Sequence, residues 1–230
     1  MKSWFPFTDY DFYGYLACGF AVLFAADHVL LSQTIMLREQ WPFVQIVLVV
    51  ALAYCTGHIV AAPSSIFLEH FVARRLLTPP MTILAGLKAL NRFERFFGRC
   101  VIGRYYEPIS ATIREKALAR IATATGKPID EIKPDGELVF QFAFEASKSV
   151  PETAKRLEEF RNLYGLCRNM SFAGIVVALL FLGEGILTPD PIDWKWVAAS
   201  LIFAVGLFIR FEKFYCAFAA EALRTFALKN

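Results

Sequence analysis

FYGYLACGFAVLFAADHVLL, residues Phe12–Leu31, decides the fold of this chain. Its ionisable groups, apart from two tyrosines and Cys18, are Asp27 and His28, and as one helix it is long enough to cross a hydrocarbon core of ~30 Å. Three further apolar runs follow, near Phe43–Ala62, Met170–Leu187 and Trp196–Phe211. They fall two and two around a polar central block. The chain is 57% hydrophobic with a mean hydropathy of +0.46, more apolar than soluble domains are. The pattern reads as an all-α membrane protein: four transmembrane helices in two hairpins with a central helical cytoplasmic domain. Residues 1–69 form the first hairpin, with spans at 12–31 and 43–62. Residues 70–168 form the basic cytoplasmic domain. Residues 169–230 form the second hairpin, with spans at 170–187 and 196–211 and a cytoplasmic C-terminal helix.

The net charge is only +3, but its distribution is uneven. Between His70 and Arg168 seventeen Lys/Arg stand against eleven Asp/Glu. The two outer connections, 32–41 and 188–195, carry one basic residue each, Arg38 and Lys195. Cytoplasmic segments collect Lys and Arg, so the middle block and both ends are placed inside. The run at Phe12 is too long for a signal peptide, has a weak basic flank, and is preceded by Asp9 and Asp11. Those two carboxylates, among Tyr10, Phe12, Tyr13 and Tyr15, mark the inner mouth of span one and read as interfacial anchoring. Five cysteines without metal spacing read as small buried hydrophobes.

Within the central block, the helix of span two is expected to continue through Ser64–Leu77, with a kink at Pro63, and to stop at Pro79-Pro80. A second helix is expected over Met81–Phe97. Lys88, Arg92, Arg95 and Arg99 would form its basic stripe, and Leu87, Leu90, Phe93 and Phe97 its apolar stripe. A third helix is expected from Pro108 to near Gly126. Residues 137–147 read as a helix, although Leu138-Val139-Phe140-Gln141-Phe142 also suits a strand. From Pro151 no proline occurs before Pro189, so one helix of ~37 residues, ~55 Å long, should run from the polar block into span three. Span four should continue inward through Ala227.

Small residues recur every fourth position: Ala17, Ala21 and Ala25 in span one, and Ala53, Gly57, Ala61 and Ser65 in span two. Such stripes let helix backbones approach closely in lipid, either between these two spans or between subunits. Ionisable groups inside spans are costly and mark function. Asp27, His28, His58 and Glu184 are therefore the pore or gating candidates, with Glu69-His70 just beyond span two. Asp27 and Glu184 lie at matching depth and would form an outer carboxylate ring in an oligomer, or would simply sit hydrated among the headgroups. His58 also suits a hydrogen-bonded packing role. The basic candidates for lipid or an anionic ligand are Lys88, Arg92, Arg95, Arg99, Arg104, Tyr105, Arg114 and Arg120. Arg104-Tyr105-Tyr106, with Arg114, Lys116 and Arg120, would supply stacking faces and phosphate partners. The histidines sit at different depths, no zinc-helix, nucleotide-loop or nucleophile-elbow motif occurs, and neither a metal, a cofactor nor an enzyme activity is expected.

The opening Asp9-Tyr10-Asp11-Phe12-Tyr13-Gly14-Tyr15, the run Tyr54-Cys55-Thr56-Gly57-His58 and the four-span layout resemble small bacterial membrane proteins of anti-phage defence systems, of the Hailong and Kiwa kind. The resemblance is one of architecture. It implies an inner-membrane homo-oligomer, with a tetramer as the working number, kept silent by a cytosolic regulatory protein or a nucleotide or short nucleic-acid ligand. On activation it would perturb the membrane, as an ion channel in some cases. The alternative is a non-conducting membrane scaffold or sensor that recruits a cytosolic partner.

Overall fold

Hydrocarbon offers the backbone no hydrogen-bond partner but itself, so apolar runs of this length must be helical to cross it. In the computed structural model, which describes residues 11–31, 40–132, 136–187 and 193–228, every regular element is helical. Three helical stretches among the described residues are long and apolar enough to cross a membrane: Gly14–Leu31, Phe43–Leu84 and Pro151–Leu187. Residues 137–147, ambiguous between helix and strand in the sequence, lie in a helix.

The chain divides into two compact units, Met1–Glu69 with Gly165–Phe211, and His70–Tyr164 with Glu212–Asn230. The first unit holds a wide π-helical turn at Asp11–Leu16 running into α1 (Ala17–Leu31), then α2 (Phe43–Ser64). It also holds the later part of α8 (Pro151–Leu187) and the earlier part of α9 (Trp194–Leu228). α1 and α2 meet through glycine. A Cβ on Gly19 would lie 1.6 Å from the Ala53 carbonyl oxygen, and one on Gly57 would lie 2.0 Å from that of Tyr15. The small residues of spans one and two thus pack against each other within one chain. Gly19 and buried Cys18 do more of this than Ala17, which is exposed.

Pro63 lies inside α2 without ending it: the Ser65 N–H still reaches the Ala61 carbonyl. The next turns, Ser65–Leu76, widen to π-helical spacing, and the Leu77 N–H bonds the Val72 carbonyl at 2.9 Å. A proline lacks a donor and crowds the preceding turn; a wider turn is one way a helix absorbs that.

The expected helix over Met81–Phe97 does not form. It is replaced by α3 (Pro80–Leu84) and α4 (Arg92–Phe97) with an irregular connection. Gly86, at φ 65°, takes the left-handed conformation that ends α3, and Leu87 N–H closes onto the Thr82 carbonyl at 2.9 Å. Asn91 then starts α4 through a capping box with Glu94. Lys88 therefore leaves the stripe of Arg92, Arg95 and Arg99. Phe93, expected on the apolar stripe, is exposed.

After α4 the chain continues through a wide turn at Gly98–Ile102 and a tight one at Gly103–Tyr106. Then come α5 (Ala111–Thr125), α6 (Ile129–Ile132) and α7 (Gly136–Lys148). α5 starts later than Pro108 and ends at Gly126, again left-handed at φ 66°. The core of this second unit joins Ile121, Ile132, Val139 and Leu157 to Ala222 and Leu223 of α9. Ser147 Oγ approaches the carbonyl oxygens of Ala143, at 2.6 Å, and Ala222, at 3.1 Å, tying α7 to α9.

Candidate functional site

The polar side chains of the first unit gather where α1, the helix after Pro63 and α8 meet. Asn169 on α8 is fully buried. Its Oδ1 lies 2.7 Å from Ser64 Oγ and accepts from Arg168 Nε at 3.3 Å and Nη2 at 3.2 Å. With Oδ1 taken by donors, its Nδ2 donates to the Gly14 carbonyl at 3.3 Å. Arg168 Nη1 pairs with Glu69 Oε2. The Cys18 thiol points at the Asn169 carbonyl at 3.5 Å. On the other flank, Ser171 Oγ donates to the Ala204 carbonyl of α9 at 2.7 Å. One ion pair, one amide and two hydroxyls thus cross-link the helices of this unit.

The wide turns position this layer. Glu69 lies within Ser65–Leu76 and Gly14 within Asp11–Leu16, so two of the partners of α8 sit on π-helical segments, which recur at functional sites. The side chains of Arg168 and Glu69 are 12% and 10% exposed. Removing one partner of so buried a pair costs about 3–5 kcal/mol, because the other charge is stranded.

Sequence reasoning noted Glu69 but missed Ser64, Arg168 and Asn169 as site residues. The available signal was Arg168-Asn169 at the edge of the apolar run Met170–Leu187.

The pore candidates are distributed. Asp27 is buried at 4% exposure beside the cluster of Ala25, Ala178, Phe181 and Val197. The His28 ring meets Phe181 edge-on at 5.4 Å, and half-buried Glu184 follows Phe181 by three residues on α8. His58 stacks on Tyr15 at 3.9 Å and meets Tyr54 edge-on at 4.6 Å, and the residue as a whole is exposed.

The basic candidates separate further. Lys88 Nζ donates to Thr78 Oγ1 at 3.4 Å. Arg120 Nη1 donates to the Phe226 carbonyl at 2.6 Å and acts as a tether to α9. Half-buried Arg114 lies against Gly86, whose missing side chain makes room for it: a Cβ there would sit 2.0 Å from Nη1. It lines a concavity of about 470 Å3 together with Leu87, Glu115, Leu118 and Ile129. Arg92, Arg95 and Arg99 are exposed. The side chains of Arg104 and Tyr105, and those of Asp9 and Asp11, lie outside the described residues.

A second buried polar group belongs to the other unit. Glu94 accepts from Thr78 Oγ1 at 2.6 Å and from the Asn91 N–H at 2.9 Å. The Tyr106 hydroxyl donates to the Thr78 carbonyl at 3.4 Å. Burial pushes the Tyr106 phenol up, and the charges of Glu212 and Glu94 add to it. Burial, with Glu212 nearby, likewise raises the Cys216 thiol. A thiol held protonated is a poor nucleophile. Among the described residues no group of His, Cys, Asp and Glu is arranged to hold a metal ion.

Fold and site together define a class: an all-helical protein with three helical stretches long and apolar enough to cross a membrane and a buried ionic layer in its first unit. No family model matches the chain, and no curated protein or solved structure matches it either.

Proposed function

We propose that this chain is one subunit of a homo-oligomeric inner-membrane effector that crosses the bilayer four times, with its ends and central block in the cytoplasm. When a cytosolic partner or an anionic ligand acts on it, it conducts ions or depolarises the membrane. The anti-phage role implied by the resemblance belongs to this reading.

The observation that carries it is the Glu69–Arg168–Asn169–Ser64 layer. Charged and amide groups among membrane helices are expensive, and they mark pathways or movable contacts rather than inert packing. A four-helix subunit is too small to enclose a pore alone, so conduction requires several copies. In the resting arrangement Asp27 faces into its own subunit, so an open state must expose it before it joins Glu184 in a carboxylate ring. Arg114 and its concavity are where an anionic ligand fits this reading best.

Reconstitution in liposomes tests it. The purified chain, alone and then with nucleotides or short oligonucleotides, is expected to release entrapped potassium under one of these conditions. In Asp27→Asn with Glu184→Gln the preference for cations over anions is expected to fall. Flux with unchanged selectivity removes the carboxylate ring. No flux under any condition, together with a stoichiometric cytosolic protein in pull-downs, replaces the channel with a recruiting scaffold.

A further inference from the structure

α4 sorts its residues into two populations. Glu94 is 2% exposed and spends its carboxylate on Thr78 and Asn91. Phe97 packs with Leu90 against Ile83, Ile102 and Tyr106. Phe93 and Phe96 remain 65% and 67% exposed. Arg92, Arg95 and Arg99 are exposed around them. The Phe93 ring is held in a parallel stack on Phe97, with centroids 6.1 Å apart, so it is presented rather than loose. Two open phenyl rings among three guanidinium groups, with the one carboxylate of the helix turned inward, form a face that water alone does not suit.

We propose that Arg92, Phe93, Arg95, Phe96 and Arg99 dock onto the anionic leaflet of the bilayer. The phenyl rings enter the boundary between headgroups and acyl chains, and the guanidinium groups meet lipid phosphates. Rings and cations on one face are what an interfacial helix requires, and arginine matches phosphate oxygens bidentately. Charge complementarity selects lipid over a second copy of the same face, since two such faces repel and offer each other no carboxylate. A bilayer is also at hand, because the chain carries helices long and apolar enough to cross one. Lys88 takes no part, being directed at Thr78. This inference rests on the membrane reading above.

The test uses the full chain with Phe96→Trp in nanodiscs of phosphatidylcholine, with or without phosphatidylglycerol, each containing a doxyl lipid labelled near the headgroup. Position 96 is exposed, so the exchange should not disturb folding. Its emission is read as the difference from the unsubstituted protein, which carries four native tryptophans. Each arginine near an anionic surface adds roughly a fivefold preference, so quenching should be at least about twofold greater in the anionic discs. It should weaken with added salt. Adding Arg92→Glu, Arg95→Glu and Arg99→Glu should return it to the neutral-disc level.

Absent quenching in both compositions overturns the proposal. So does quenching that ignores both phosphatidylglycerol and the three arginines. An emission shift at position 96 produced by a single-stranded oligonucleotide, without quenching by lipid, reassigns the face to nucleic acid. A chain that does not enter the discs overturns both this inference and the membrane reading. One that enters without quenching overturns this inference alone.

Discussion

Glu94 shows how much one side chain can organise. It closes the first turn of α4, receives the Thr78 hydroxyl and lies within reach of the charge of Lys88. Burial alone would raise its carboxyl. The hydrogen bonds from Thr78 and Asn91 and the Lys88 charge outweigh burial and hold it below the usual carboxylate range. A folded-state value below the unfolded one means that the carboxylate stabilises the fold above the unfolded value, and that this contribution fades as pH falls through the folded value. Glu94→Gln should therefore cost about 2 kcal/mol near neutral pH, the scale of hydrogen bonds to a charged group. The gap from the unsubstituted protein should narrow below about pH 4. Thermal unfolding of both proteins in detergent across that range measures it, and a gap that widens on acidification contradicts the assignment. Glu69 and Arg168 differ in kind, because there a buried cation and anion hold each other and the removal of either leaves a charge without its counterion.

At the scale of elements, the glycine contacts between α1 and α2 carry the sharpest consequence. A methyl group on Gly19 would sit inside the Ala53 carbonyl, and backbone cannot swing aside as a side chain can. Gly19→Ala should cost about 3 kcal/mol or more as the helices are pushed apart. Gly206→Ala on α9, where a Cβ meets nothing within 4 Å, should be neutral or gain up to about 1 kcal/mol from helix propensity. Unfolding of the two variants in a mixed detergent series separates them, and a Gly19→Ala protein as stable as the parent refutes the close approach. The three helices long and apolar enough to cross were legible because hydropathy over twenty residues is a strong, local signal; the run expected at 196–211 lies in α9, which is not among them. α7 was ambiguous because Leu138-Val139-Phe140-Gln141-Phe142 satisfies both periods, and its packing against Leu223 and Phe218 decides for helix. The break at Gly86 was misread because a single glycine is tolerated within many helices. Only the bond from Leu87 N–H to the Thr82 carbonyl and the Asn91 cap make it an end. The ionic layer escaped because Ser64 and Asn169 stand 105 residues apart, and each looks like the ordinary edge of a span until the helices are brought together.

At the scale of the whole molecule, crossing number follows from where the chain returns. Residues 70–164 form the second unit together with 212–230. Ala222 and Leu223 are fully buried in one core with Ile121 and Val139, so these segments share one side of any membrane. Between them the chain runs along α8, whose later part is long and apolar enough to cross, and then along α9, which is not among the three stretches that meet that measure. Departure and return to the same side require an even number of crossings. A bilayer traversed by α8 must therefore be traversed again before Glu212, and the apolar run at 196–211 is the stretch available for it. In the four-span arrangement proposed above, the same parity puts the N-terminus with the central block, on the side where an excess of Lys and Arg collects. Single cysteines at Lys127, Asp190 and Lys229, introduced into a cysteine-free chain, test this with a membrane-impermeant maleimide on intact cells. Asp190 should label from outside, while Lys127 and Lys229 should label only after the cells are opened. Labelling of Lys229 from outside, with Lys127 protected, would mean three crossings and would set the buried contacts of α9 with α5 and α7 against the membrane reading itself.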